Sequence, residues 1–477
     1  MEPLRLSEIV AATGGELIAV RTERIGEPPR APRYGAGPDS RELLVPGVSI
    51  DTRTLKPGEL YVAIRGKRLD GHRFVPEALK AGAVAVVVDN AEAVPAGACA
   101  IVVGNTTEAL ARIAFRHRER MGARVVAITG SNGKSTTKEI LAAILALKFK
   151  TLKPEGSFNN DIGVPLTVLR MTRDIEAAVF EIEMNELGGT ARLARICRPE
   201  VGVITNIGDT HLEFMTDRHG VAEEKAELLQ ALPEKGAAVL NADDPLVMAI
   251  GSVYAPPRRV TFGLEQKAEV FATDIRDDGL DGSRFKLLGK YEVVLPIPGR
   301  HNVANCLAAC AAAHAMGMWP GDMPEAIAGL KPLPMRLRVL RFGEITLIED
   351  CYNANPQSVR AALDVLRQSA PADRRVAFLG DMLELGESSQ NQHESLGRDV
   401  GVLVSRLALV GPMGEFTANG AAAAGLAQIR RFETSAEARE ALFDIIRPGD
   451  TILVKGSRAM AMELVSHEIV RCYDKRD

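Results

Sequence analysis

The chain alternates between short apolar runs and longer stretches with apolar positions at helical spacing. Segments 124–128, 177–184, 201–207 and 236–243 are short, apolar and bounded by polar turns, so they read as buried strands. Helix-like stretches separate them, and that alternation predicts a largely parallel sheet with helices on both faces. Upstream, a helical pattern from Leu4 to Ala12 stops at Gly14-Gly15. Residues 24–47 read as a loop, because Pro28, Pro29, Pro32, Pro38 and Pro46 alternate with Gly and Arg. Segments 48–55 and 59–64, a helix through Phe74 to Ala81 and buried strands at 83–90 and 98–105 complete a small mixed α/β domain. A helical link over 107–120 leads into the central block. Between 259 and 298 four short segments read as antiparallel strands attached to that block, and a long helix from Val303 to Ala315 returns to it. Two prolines within 331–336 mark a second boundary. Beyond it, strand candidates at 345–350, 374–381, 406–411, 428–432 and 451–457 alternate with helices as in a doubly wound domain. The expected domains are 1–104, 105–332 and 333–477.

The strand-to-helix transition at residue 130 carries the strongest chemical signal. In Gly130-Ser131-Asn132-Gly133-Lys134-Ser135-Thr136 the glycines let backbone N–H groups turn inward. The following helix presents its unpaired N–H groups and positive dipole end to anionic oxygens. Lys134 suits β/γ-phosphates and the Ser135 hydroxyl suits Mg²⁺. Only Ser131 and Asn132 separate the glycines, so the loop is a shortened relative of the common nucleotide signature. Further along, Glu181 and Glu183 share one side of a strand. Glu181 reads either as a Mg²⁺ ligand or as a structural carboxylate, and His211, after strand 201–207, reads either as a rim ligand or as a satisfied loop histidine. Lys225, in GVAEEKAELLQAL, reads from composition alone as a solvated helix lysine.

Composition narrows the classes. The 58 basic and 62 acidic residues leave a net charge of −4, and aromatics make up 4% with Trp319 the one tryptophan. Neither bulk attraction to a polyanion nor a stacking platform for nucleic acid is expected. The six cysteines are scattered, and Cys306 and Cys310 read as small buried helix residues. No secretory leader core or membrane-spanning run is visible, so the expected location is the cytoplasm.

Several segments together resemble the Mur ligase family, ATP-dependent enzymes that build the peptide of bacterial cell-wall precursors. They are GSNGKSTTK, EIEMNELG (181–188), THLE (210–213), Lys225, GRHNVANCLAA (299–309) and the block from Arg336 to Asp350. DCYNANPQSVRAAL (350–363), GDMLELG (380–386), SFNNDIGVPLTVL (157–169) and VKGSRAMAME (454–463) extend the likeness over nearly the whole chain. The resemblance implies an α/β, three-domain architecture with a central P-loop ATPase-like parallel sheet and a C-terminal Rossmann-like domain. It implies ATP and Mg²⁺ as cofactors. Its substrates would be a UDP-MurNAc-tripeptide, which supplies the carboxylate, and D-alanyl-D-alanine, which supplies the amine. A monomer is expected. Gly130 to Thr136 would hold the phosphates, Ser135 and Glu181 a first Mg²⁺, and Glu181 with His211 a second. Lys225 would be carbamylated and act with the metals, overturning its reading as a solvated lysine; Lys134, His211 and Lys225 would be the catalytic set. Asn302 and Asn305 would lie beside adenine, Arg336 near the phosphates and Asp350 at the ribose. Asp51, Thr52 and Arg53 would hold the uridine part. Glu183, Glu186 and Met335 depart from the usual family pattern. A folate-tail ligase would have no need of the first domain, and a nucleotide-driven switch gives no reason for Tyr352 to Pro356.

Overall fold

The computed structural model describes residues 1–19, 42–66, 69–210, 212–215 and 217–474. These gather into two compact units, one comprising 1–127, 149–183 and 190–200, the other 128–148, 184–189 and 201–477.

The first unit contains a five-stranded sheet in the order Glu16–Ala19, Cys99–Val102, Ala85–Val88, Leu60–Val62, Val48–Ser49. Only the first pairing is antiparallel. Helix Leu6–Thr13 ends on Gly14 at φ +66°, as the glycine pair predicts. It begins two residues later than its apolar pattern does, because Leu4 and Arg5 pair with Val45 and Leu44 as a short antiparallel ladder. The end of the expected 24–47 loop is therefore a strand; residues 20–41 lie outside the described residues. The same unit contains the parallel pair Thr151–Leu152 and Ala177–Glu181. Buried Arg118, at the end of helix Thr106–Arg118, donates to the carbonyls of Met121 (2.7 Å), Cys197 (2.8 Å) and Ala123 (2.9 Å). Its cation thereby satisfies carbonyls at and just beyond helix ends.

In the second unit Val201–Ile204, Ala237–Asn241 and Arg258–Gly263 run parallel. The segment from 259 was expected to be antiparallel. Helix Pro245–Tyr254 instead carries the chain back across the sheet, and a crossover of that kind sets the next strand parallel. Val270–Asp277 continues parallel for two residue pairs, and true antiparallel pairing begins with Ser283–Leu287 and Tyr291–Leu295. Helix Arg300–Ala315 packs along helix Lys134–Ala146. Cys306, Cys310 and the alanines between them are buried there, as small residues permitting close helix approach.

The C-terminal sheet has the order Arg338–Phe342, Ile345–Asp350, Thr451–Lys455, Arg375–Gly380, Arg406–Val410, Ile429–Phe432. All pairs are parallel except the first, whose edge strand the sequence pattern did not reveal. Along each strand successive residues enter opposite cores: Leu379, Leu407 and Leu453 enter one, Phe378, Ala408 and Val454 the other. At the opposite end of the sheet from its ligand-competent rim, Arg406 grips fully buried Asp450 through two bonds of 2.7 and 2.8 Å. Among the described residues no helix is long and apolar enough to cross a membrane.

Candidate active site

Strand Arg124–Thr129 ends where the phosphate loop begins, and helix Lys134–Ala146 starts directly after Gly133. Both glycines are sterically required. A Cβ on Gly130 (φ +143°) would sit 1.9 Å from Thr205 Oγ1, and one on Gly133 (φ +83°) would sit 2.0 Å from Asn305 Oδ1. Side chains from residues 205–210 fix the loop backbone. Thr205 Oγ1 donates to the Asn132 carbonyl at 2.6 Å, and the Asn132 N–H donates to Asn206 Oδ1 at 2.9 Å. Ser131 Oγ accepts from the Gly208 N–H at 2.8 Å and meets Thr210 Oγ1 at 3.0 Å. Lys134 is buried and folds back, its ammonium donating to the Gly130 carbonyl at 2.7 Å. Ser135 and Thr136 are buried in the first helical turn, and Thr137 reaches the Asn305 carbonyl at 3.4 Å.

The two asparagines of helix Arg300–Ala315 are joined. Asn305 Nδ2 donates to Asn302 Oδ1 at 2.9 Å, and Asn302 Nδ2 donates to the Pro298 carbonyl at 2.7 Å. The loop also meets the start of helix Pro356–Ser369, which Asn355 caps. Asn355 Nδ2 donates to Asn132 Oδ1 at 2.8 Å, and Asn132 Nδ2 donates to Gln357 Oε1 at 3.0 Å. These two residues were missed as site residues. The signal that could have found them is the Asn-Pro helix start, a capping pattern that also leaves an amide free to reach outward.

Around the C-terminal sheet's rim, the Arg336 guanidinium stacks on the Tyr352 ring at 4.2 Å. Asp350 is tied twice: Oδ1 accepts from the Leu337 N–H at 3.1 Å and Oδ2 from Lys455 Nζ at 2.6 Å. Lys455, buried and also bonded to the Asn353 carbonyl at 3.0 Å, is a further residue that motif reading passed over.

The metal-ligand candidates divide between the units. In the first, Glu181 is 1% exposed, and Asn159 Nδ2 donates to both Glu181 Oε1 and Glu183 Oε2 at 2.9 Å. That shared amide agrees with the expectation that the two carboxylates face one side, and it adds Asn159 to the site. In the second, Lys225 lies on helix Arg218–Gln230 and is buried, not solvated as its composition suggested; its Nζ stands 3.0 Å from Glu224 Oε2. His211 lies outside the described residues. Oxygen donors such as the Ser135 hydroxyl and the buried Glu181 carboxylate fit a hard cation.

Asp51, Thr52 and Arg53 form one turn in the first unit. Arg53 clamps Asp51 through Nε at 2.9 Å and Nη2 at 2.6 Å, and this pairing holds the Asp51 carboxyl down at about 2.

Residues 44–130, 128–313 and 335–458 match the family models described as the Mur ligase family catalytic domain, the Mur ligase middle domain and the Mur ligase glutamate ligase domain. The UDP-N-acetylmuramoyl-tripeptide–D-alanyl-D-alanine ligase of Bacillus subtilis (strain 168) is 33% identical over 440 residues, 91% of this chain and 95% of that one. The chain belongs to the Mur ligase family. A crystal structure of MurF from Acinetobacter baumannii superposes on this Mur ligase with a TM-score of 0.85 at 30% identity, covering 99% of both chains. MurF ligase from Thermotoga maritima, solved in complex with ADP, gives 0.78 at 28% identity, over 90% of this chain and 98% of that one. The three-domain architecture expected from the sequence is that of these relatives.

In this Mur ligase the glycine requirement is directly testable. Gly133→Ala adds a Cβ to a left-handed backbone already filled by Asn305 and should cost about 1–3 kcal/mol of stability in urea unfolding. Gly104→Ala, where a Cβ meets nothing within 4 Å, should change stability by a few tenths of a kcal/mol at most. Equal stability of the two variants would show that the loop is not sterically committed.

Proposed function

We propose that this enzyme uses ATP to join D-alanyl-D-alanine to UDP-N-acetylmuramoyl-tripeptide in peptidoglycan precursor synthesis. The observation that carries the reading is the loop Gly130–Gly133, held by residues 205–210 and packed against Asn305, within a chain that matches a ligase of that name over 91% of its length. The tripeptide carboxylate attacks the γ-phosphorus of ATP and ADP leaves. The dipeptide amine then attacks the acyl phosphate carbon, forming the C–N bond as the C–O bond to phosphate breaks and the nitrogen gives up a proton. Lys134 swings from the Gly130 carbonyl to the β/γ-phosphates, and the N–H groups of the first helical turn serve the same oxygens. Ser135, Glu181 and His211 would hold Mg²⁺, which neutralises charge on the phosphoryl oxygens. Asn302 and Asn305 border adenine, Arg336 the phosphates and Asp350 the ribose, while Asp51, Thr52 and Arg53 receive the uridine end. A division of the chain at 104/105 and 332/333 gives each substrate its own domain, and closure around them keeps water from the acyl phosphate.

ADP release should require all three substrates at full rate, with D-alanine and L-lysine poor substitutes for the dipeptide. Lys134→Ala should lower kcat by about 3–5 kcal/mol of barrier, as loss of a preorganised electrostatic donor does. Undiminished turnover in that variant, or preference for another acceptor, would refute the assignment.

Lys225 in this reading works as a carbamate. CO2 adds to the neutral Nζ, one proton leaves, and an anionic oxygen ligand replaces a cation that metal would repel. In this structure Nζ stands 3.0 Å from Glu224 Oε2, so a carbamate would be a second anion beside that carboxylate. Carbamylation is therefore coupled to the arrival of Mg²⁺ and nucleotide, whose positive ion offsets the two adjacent anions. With carbon-13 CO2, a carbamate resonance should appear when Mg²⁺ and a non-hydrolysable ATP analogue are added, and should be absent in Lys225→Ala. An active, metal-loaded enzyme without that resonance would refute the carbamate.

A further inference from the structure

Strand Arg375–Gly380 delivers Asp381 to the C-terminal rim of the last sheet, the edge at which open α/β sheets bind ligands. Asp381 is 2% exposed. Its Oδ2 accepts the Met413 N–H at 3.1 Å. Neither Lys455 nor His393 forms an ion pair with it. Lys455, on the adjacent strand, is engaged by Asp350. His393 donates through Nδ1 to the Ser389 carbonyl at 2.7 Å and accepts the Met382 N–H at Nε2 (3.0 Å), which makes it a neutral imidazole. Among the described residues Asp381 thus has no salt-bridge partner, unlike the equally buried Asp450 at the other end of the sheet, which holds Arg406. A buried carboxylate without a cation is costly, and burial pushes its pKa up.

The surroundings are adaptable. Gly411, at φ +107°, brings bare backbone against the carboxylate: a Cβ there would lie 2.4 Å from Asp381 Oδ2 and 2.6 Å from Met460 Cε. Gly456 and Gly380 approach with Cα atoms close together, and Met462 covers both. Thioether side chains re-pack at little cost, so Met460 and Met462 are suited to open around a small apolar group. Just beyond, Glu384 is held at φ +63°, a conformation non-glycine residues seldom adopt, and Leu383 is 42% exposed beside it.

We propose that Asp381 is the anchor for the acceptor amine: its carboxylate receives the ammonium of the incoming dipeptide while Met460 and Met462 accommodate the adjoining methyl group. This rests on the ligase reading above and adds to it a residue on the acceptor side. It explains why a carboxylate is kept buried here without an internal cation, since the substrate supplies one.

The test compares D-alanyl-D-alanine with N-propionyl-D-alanine, the same molecule without the ammonium, as ligands of the full-length enzyme loaded with ATP analogue and UDP-linked tripeptide. Wild type should bind the dipeptide about tenfold to a hundredfold more tightly, the range for a hydrogen-bonded charge. Asp381→Asn should erase that preference by weakening the dipeptide alone, raising its KM by the same factor and leaving the KM of ATP and of the tripeptide substrate within about twofold. Equal weakening of both ligands would mark a structural role and overturn the proposal. Wild-type enzyme that ligates yet binds both ligands equally would also overturn it, whether or not the variant folds. Wild-type enzyme that does not ligate these substrates at all would overturn the ligase reading and this assignment with it.

Discussion

The nucleotide loop depends on a backbone that is turned inward and kept from collapsing by neighbours distant in sequence. Gly130 and Gly133 make the turn possible, but glycine supplies freedom and not order. Order comes from Thr205, Asn206 and Gly208 on one side, Asn305 beneath, and Asn355 with Gln357 across the loop's tip. Apart from the one to Gln357, these bonds use short side chains with little rotamer entropy to lose. The loop is therefore preorganised by amides and hydroxyls, with Lys134 folded back onto the Gly130 carbonyl.

Because Asn132 bonds both Asn355 and Gln357, the loop tip is tied to the helix that follows Asp350. Asp350 in turn holds Leu337 of the preceding segment, and Lys455 ties it to the neighbouring strand. Met335 and Leu337 both adopt positive φ on either side of Arg336, so this segment is strained and pinned at once. On the proposed placement of Asp350 at the ribose, a nucleotide would compete with those internal bonds.

Local patterns made much of this legible in the sequence. The strand–Gly–helix succession at 124–146 and the doubly wound alternation after 345 follow from periods of two and 3.6 residues, which need no tertiary information. The family motifs also pointed to Lys134, Asn302 and Asn305; Asn305 bonds Asn302 and lies against Gly133, the residue before Lys134. Pairings set by topology escaped the pattern: the parallel run of Arg258–Gly263 was hidden because a strand's sequence does not encode the direction of its neighbour. The partners of the Asn132 side chain lie more than two hundred residues away, and Asn159 bridging Glu181 and Glu183 is likewise a contact between separate segments. Lys225 looked like a solvated helix lysine because its burial depends on what packs against the helix and not on the helix's own composition.

In the proposed reaction the carboxylate is activated by direct transfer of the γ-phosphoryl group. Oxygen-18 in the terminal carboxylate of the UDP-linked tripeptide follows that step without reference to any variant. Ligation through an acyl phosphate predicts one labelled oxygen in the phosphate released per peptide bond formed, with ADP unlabelled. Label appearing in AMP, or phosphate released without label during ligation, would contradict the account.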